Sequence, residues 1–199
     1  IPWVQAPSEG EAQAATMVKE GLLDAVASQD FDTLLYGAPV MIRNLTLSGK
    51  RKLPKQQKWI SIEIEKIVLE EVLDKNQITQ KQLIDLAILI GTDYNRGIHG
   101  IGPKKGLKMI KKYENAEESL KKLDQKIDNL DKLRKMFLDT EFFSTKNVEV
   151  VWKEPVKSKT IELLCGKYEF SRSRVDSALS KFFESGKGKA EQVTLTDFN

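Results

Sequence analysis

The stretch DAVASQDFDTLLYGAPVMIRNL, residues 24–45, decides the fold. Its first residues, Asp24 to Ala27, read as a short strand. Asp30 to Tyr36 reads as a strand-to-helix turn, and Val40 to Leu45 as a second strand. Upstream, Ile1 to Val4 is another short apolar strand. Ser8 then opens a helix, with Ser8 and Glu11 matching the S-x-x-E capping box. Ala12, Ala15, Val18 and Leu22 carry the buried face of that helix, and Gly21 sits near its end. Strand, helix and strand in so little chain imply an α/β fold, a parallel sheet with helices against it.

Downstream, Trp59 to Ile64 alternates apolar and polar residues like a half-buried strand, and a short helix follows through Leu73. Thr79 and Gln82 form a second capping box. Leu83, Leu86, Ala87 and Ile90 line one helical face until Gly91 stops it. The segment IHGIGPKK, residues 98–105, places Pro103 at a first helical position with a lysine-rich helix beyond. Glu117 to Leu138 reads as helical and highly charged, and Val148 to Trp152 as extended. Helices cover Ser158 to Cys165 and Ser171 to Phe183, and a polar, Gly/Lys-rich tail begins at Gly186.

Five carboxylates stand where helices begin and strands end: Glu9, Glu11, Asp30, Asp32 and Asp93. In parallel α/β sheets, function collects at the carboxyl ends of strands, so three distant phrases converge on one rim. Crowded carboxylates repel unless a divalent cation neutralises them, and hard oxygen ligands select Mg²⁺ or Mn²⁺ over zinc. Two such ions activate a water and stabilise the leaving oxygen of a phosphodiester. Each acid also has a local role open to it. Glu11 can complete the box with Ser8, Glu9 can favour the helix dipole, Asp30 or Asp32 can cap the helix beginning near Thr33, and Asp93 can cap a turn.

Composition narrows the classes. Hydrophobic residues make up 40% of 199, enough for a core, with no apolar run of membrane-spanning length. One cysteine, Cys165, excludes an internal disulfide and suits a reducing compartment. One histidine, His99, argues against a His-based zinc site or a Ser–His–Asp triad. Net charge is only +3, yet Lys50, Arg51, Lys52, Lys55 and Lys58 cluster, as do Lys104, Lys105, Lys108, Lys111 and Lys112. Basic patches beside acidic pockets suggest a polyanion held near metal ions, and a Lys/Glu-rich solvated surface is the alternative. In residues 97–112, glycines let backbone N–H groups approach a phosphate while Pro103 aims a positive helix end at it. Starting at Ile1 without Met, the chain reads as a piece of something longer.

The phrases IPWVQAPSEGEA, SQDFDTLLYG, LIGTDY and GIGPKK, in this order, closely resemble the flap endonuclease family of structure-specific 5′ nucleases. The likeness is greatest to the archaeal and eukaryotic flap endonucleases. It implies a PIN-like nuclease sheet flanked by helices, with a helix–two-turn–helix element holding duplex DNA. By motif, Glu9 and Glu11 match ligands of a first Mg²⁺, and Asp30, Asp32 and Asp93 match ligands of a second. Glu9, Gly91 and Asp93 match a region that approaches DNA, and Gly100, Gly102, Lys104 and Lys105 match its duplex-holding turn. The family also places K⁺ in that turn, where Gly97 replaces a serine ligand of some members.

The resemblance implies three regions: 1–95 from the nuclease domain, 96–185 for DNA holding, and a tail, 186–199. Gln192, Leu195 and Phe198 in that tail have the spacing of a sliding-clamp (PCNA-type) box, with Asn199 in place of its last aromatic. In the family, two more metal-binding aspartates, a steering basic region and a helical arch precede the IPW phrase. The expectation is therefore divided: a 5′-flap endonuclease as parent, and an inactive fragment in isolation, with N-terminal strands missing. A non-catalytic DNA- and clamp-binding module is the alternative. A PIN-type ribonuclease fits less well, because it leaves the DNA-holding turn and clamp box without a role. Such an enzyme is intracellular, in cytoplasm or nucleoid if archaeal and in the nucleus if eukaryotic.

Overall fold

The computed structural model describes residues 2–46, 49–52, 59–139, 145, 148–151 and 156–185. Residues Val4–Val148 form one compact unit, and Ile1–Trp3 with Glu149–Asn199 form another.

In the first unit, β1 (Val26–Ala27) runs parallel to β2 (Val40–Arg43), with Val26 opposite Met41. Parallel neighbours need a crossover, and the four-residue helix α2 (Asp32–Leu35) lies within it. This is the strand–helix–strand unit expected from residues 24–45. A third strand, β5 (Glu65–Val68), pairs antiparallel with the other edge of β2, giving the order β1-β2-β5. The sequence reading missed it. The alternation in ISIEIEKIV continues through residues 60–68, yet the chain breaks at Glu63 and Ile64 into two strands. The first of these, β4 (Trp59–Ile62), pairs instead with β3 (Gly49–Lys52) in a separate two-stranded sheet. Trp59 is 59% exposed there, so the expected half-burial is not found. After β5, α3 (Leu69–Asn76) begins at once, its Leu69 packed with Leu34 and Met41.

Helix α1 (Gly10–Lys19) buries Ala12, Ala15 and Val18, as its spacing requires, against Val26, Leu35 and Tyr36. The expected Ser8–Glu11 capping box does not form. Glu9, not Ser8, is the N-cap and makes no side-chain capping bond, and the Glu11 carboxylate accepts instead from Ser28 Oγ at 2.5 Å. Pro2–Ala6 carries no strand, since no described strand lies beside it to complete a ladder.

Helix α4 (Gln80–Ile90) starts with both bonds of the Thr79–Gln82 capping box and ends at Gly91, as read from the sequence. Helix α5 (Pro103–Tyr113) has Pro103 as its first residue. It crosses α4 so closely that a Cβ on Gly106 would lie 2.6 Å from Leu86 Cδ1. Leu86, Leu89, Ile101, Met109, Ile110 and Leu120 form a second core between α4, α5 and α6 (Ala116–Leu123). The charged segment read as one helical pattern divides into α6 and α7 (Leu130–Leu138). Asp124 and Asn129, both at positive φ, interrupt it; short polar side chains tolerate that conformation best.

Asp85 on α4 is fully buried and faces Arg134 on α7. Arg134 donates Nε to Asp85 Oδ1 at 2.5 Å and Nη2 to Asp85 Oδ2 at 2.8 Å, and it also bonds Glu117 on α6. Asp85 Oδ2 accepts the first backbone N–H of α6, from Ala116, at 3.0 Å. One carboxylate thus ties three helices together.

In the other unit, α8 (Lys157–Ile161) continues into a π-helical turn at Glu162–Lys167 that contains half-buried Cys165. Helix α9 (Arg172–Ser185) buries Val175 and Leu179. Val148–Val151, expected to be extended, has no regular structure, and Trp152 lies outside the described residues.

Arg134→Met leaves the buried Asp85 side chain with only a backbone partner. Urea unfolding should show a loss of about 3–5 kcal/mol, with much of it recovered in the double variant Asp85→Leu/Arg134→Met. Hydrogen bonding from Arg134 holds the Glu117 carboxyl below its ordinary 4.5. Its stabilising effect is therefore complete above that pH and fades as pH falls further. A loss under about 1 kcal/mol for Arg134→Met would show that Asp85 is not relying on the guanidinium.

Candidate metal centre and duplex-holding turn

The end of β1 organises the first two acid phrases. Ser28 continues the strand with its N–H on Ile42 O, which fixes its side chain at the rim. Its hydroxyl donates to Glu11 and accepts the backbone N–H of Asp30 at 3.1 Å. Ser28 therefore links the Glu9–Glu11 phrase to the Asp30–Asp32 phrase. Sequence reasoning passed over this residue. The signal was available, because a serine two residues before an acid at a strand end is poised for a hydroxyl-closed turn.

Glu11 and Asp32 each lie in the fields of neighbouring acids. Burial raises the Glu11 carboxyl above its ordinary value. The Ser28 bond opposes that shift, and the charges of Asp30, Asp32 and Glu9 reinforce it. Burial also raises Asp32, reinforced by Asp93, Asp30 and Glu9. All three phrases are thus coupled through Asp32. Among the described residues, however, no three acid, histidine or cysteine groups stand in a ligating arrangement. The donor set, all carboxylate oxygen under mutual repulsion, suits a hard dication. Its present spacing does not close a coordination shell.

Beneath the acids, the Tyr36 and Tyr94 hydroxyls lie 2.8 Å apart. Both rings pack on Phe137 of α7, with centroids at 5.1 and 5.7 Å. Burial pushes both phenols upward in pKa. Ser8, Glu9, the two tyrosines, Lys132 and Lys135 line a cavity of about 380 Å³.

Asp93 is exposed on the turn after α4. That turn is held by Thr92 Oγ1 donating to Asn95 Oδ1 at 2.8 Å and Asn95 Nδ2 donating to Ile88 O at 2.9 Å. Gly91, at φ +119°, lets the chain double back until Ile98 N–H reaches Leu89 O at 2.9 Å. A Cβ on Gly97 would sit 1.9 Å from Ile90 O, so that position has no room for a side chain. Gly102 is the N-cap of α5, and exposed Lys104 and Lys105 follow Pro103. His99 is an exposed turn residue. The structure thus places the acid rim and the glycine–lysine turn in one unit, joined through α4. Gln192, Leu195 and Phe198 lie outside the described residues.

A small sheet rimmed by coupled carboxylates and followed by paired helices around a glycine-rich turn has the architecture of the PIN-like nucleases. The family model of the XPG I-region matches residues 1–93. Flap endonuclease 1 of Methanosarcina acetivorans is 46% identical over 195 residues, covering 98% of this chain and 56% of that protein. Flap endonuclease 1 of Archaeoglobus fulgidus shows the same identity and coverage. The solved flap endonuclease-1 of Methanococcus jannaschii superposes with TM-score 0.75 at 38% identity, over 92% of this chain and 53% of that one. Over nearly its whole length the chain is similar to archaeal flap endonucleases. It spans about half the length of the curated relatives it matches.

The raised Asp32 carboxyl gives a signed expectation. A carboxyl whose pKa is higher in the fold than its ordinary 3.8 costs stability when ionised, and that cost vanishes below 3.8. Asp32→Asn should therefore raise the Tm of the cation-free protein at pH 7, by an amount that shrinks as the pH approaches 3.8. Scanning calorimetry at several pH values checks this; a lower Tm at pH 7 would mean that the carboxylate is held by favourable bonds.

Proposed function

We propose that this chain carries half of the metal site and the duplex-holding element of a flap endonuclease acting at 5′-flap junctions in replication and repair. Glu9, Glu11, Asp30, Asp32 and Asp93 would hold two Mg²⁺ ions, with Mn²⁺ able to substitute. The observation that carries this reading is the electrostatic coupling of the three acid phrases through Asp32. When bound, the cations would supply an activated water and neutralise the leaving oxygen of a phosphodiester. The chain's own part is to hold the carboxylates at one rim and to bring DNA to it.

Residues 1–95 serve the chemistry in this reading and 96–185 the duplex. Gly91 and the backbone at Asp93 approach the DNA near the cut. Gly100 and Gly102 bring backbone N–H groups to a phosphate, and Lys104 and Lys105 add charge. A helix N-terminus disfavours lysine, and α5 has two in its first turn with no acid beside them. A phosphate at that helix end removes the conflict. A K⁺ ion in the same turn would be held by backbone carbonyls, since Gly97 leaves no space for a serine ligand.

For residues 1–199 alone, a second reading applies: a DNA- and clamp-binding module that does not cut. It is favoured by the absence, among the described residues, of three groups in ligating arrangement. The site of action is intracellular DNA.

With a labelled 5′-flap substrate and Mg²⁺, residues 1–199 should bind the junction and leave it uncut. Turnover would refute the non-cutting module. Lys104→Ala with Lys105→Ala should weaken duplex binding and reduce the slope of log K against log salt by about two. An unchanged slope counts against phosphate contact. Phe198→Ala should abolish pull-down by a PCNA-type sliding clamp, and undiminished capture would remove the tail from the proposal.

A further inference from the structure

Ser28 stands between two acid phrases with both roles of its hydroxyl in use. Its backbone N–H is bonded to Ile42 O at 3.2 Å, which carries the pairing of β1 with β2 one residue past Ala27. Its Oγ accepts the Asp30 N–H at 3.1 Å, and its own proton goes to Glu11 Oε1, 2.5 Å away. The direction is fixed, because an amide nitrogen only donates and an ionised carboxylate only accepts. A separation of 2.5 Å is that of a charge-assisted O–H···O⁻ bond, stronger than a neutral one.

Both partners are anchored. Glu11 lies in the first turn of α1, whose Ala12, Ala15 and Val18 pack in the core, and Ser28 is tied to β2 through Ile42. Swinging the Glu11 carboxylate therefore breaks a short bond between two fixed elements. With Oε1 committed to Ser28, Oε2 is the oxygen that Glu11 offers to another partner.

The way a carboxylate is held decides which dication it suits. Ca²⁺ coordinates flexibly and accepts both oxygens of one carboxylate. Mg²⁺ is smaller and demands octahedral geometry, which the narrow angle of a two-oxygen chelate does not fit.

We propose that Ser28 is a positioning residue: by holding Oε1 it restricts Glu11 to one-oxygen ligation, and so makes the acid rim prefer Mg²⁺ to Ca²⁺. This rests on the dication reading above. Ser28 does not touch the cation. Its effect passes through Glu11, as a hydrogen-bond partner behind a ligating group orients that group and tunes its affinity.

The test titrates residues 1–199 with Mn²⁺, read by water-proton relaxation, and then adds Mg²⁺ or Ca²⁺ in competition. Ser28→Ala should weaken Mg²⁺ about tenfold. It should weaken Ca²⁺ less, so the preference for Mg²⁺ falls. Ser28→Thr keeps the hydroxyl and should restore both affinity and preference. A cooperative melt of each variant without metal checks that it is folded. General loosening of the rim weakens both ions together and leaves their ratio alone, so the ratio isolates the positioning role. An unchanged ratio in Ser28→Ala would overturn the proposal, as would a Ser28→Thr protein that behaves like Ser28→Ala. No Mn²⁺ binding by the unaltered chain would overturn the dication reading, and this role with it.

Discussion

Arg134 meets Asp85 in a space with almost no water: the side chains are 7% and 0% exposed. A buried carboxylate is tolerable only when its charge and its lone pairs are both met. Arg134 meets the charge through two guanidinium donors, and the Ala116 N–H takes a further place on Oδ2. Satisfying one side chain therefore requires α4, α6 and α7 to be present together. An apolar contact would accept many relative placements of those helices. This arrangement accepts few, because hydrogen-bond geometry is narrow where packing is forgiving.

The fixed helices are the ones that carry the site's supports. Three residues beyond Arg134 on the same helix is Phe137, the platform for Tyr36 and Tyr94. Five residues beyond Asp85 is Ile90, followed by Gly91 and the turn that presents Asp93. The ion pair thus sets both the platform on which Tyr36 and Tyr94 pack and the starting point of the Asp93 turn. Ser28 performs the corresponding task at the other side, joining Glu11 to the backbone of Asp30. The Ser28 hydroxyl thus holds two of the acid phrases together against the repulsion among their carboxylates.

Much of this frame was readable before the structure. The Thr79–Gln82 box, the stop at Gly91 and Pro103 at a helix start are local codes, each depending on atoms within four residues. The β1–α2–β2 unit was legible for the same reason. What escaped depended on distant partners. β5 is a strand because β2 lies beside it in register, and β3 because β4 folds back on it. Glu11 fits a capping box in sequence, but Ser28, seventeen residues away, takes its carboxylate. Asp85 sits within an apolar helical face and gave no sign that Arg134, forty-nine residues later, would find it. The five acids were read as a set because their phrases end strands and begin helices. Their coupling through Asp32 needed coordinates.

Two places remain where the chain breaks a local rule without local compensation. Carboxylates crowd at one rim until burial and like charge raise Glu11 and Asp32 together. Lysines occupy the positive end of α5, where acids are preferred. Each alone lowers stability, and neither is relieved by a neighbour of opposite charge in its own phrase. Such conflicts persist where a partner resolves them on binding. In the proposed reading, a dication would resolve the first and a phosphate the second. The same α4 connects them, ending in the acid turn at one end of the glycine-rich segment whose other end starts α5. The two conflicts therefore sit a fixed distance apart on a rigid helix pair. In the proposed reading, that spacing would let one point grip a duplex while the other faces its backbone.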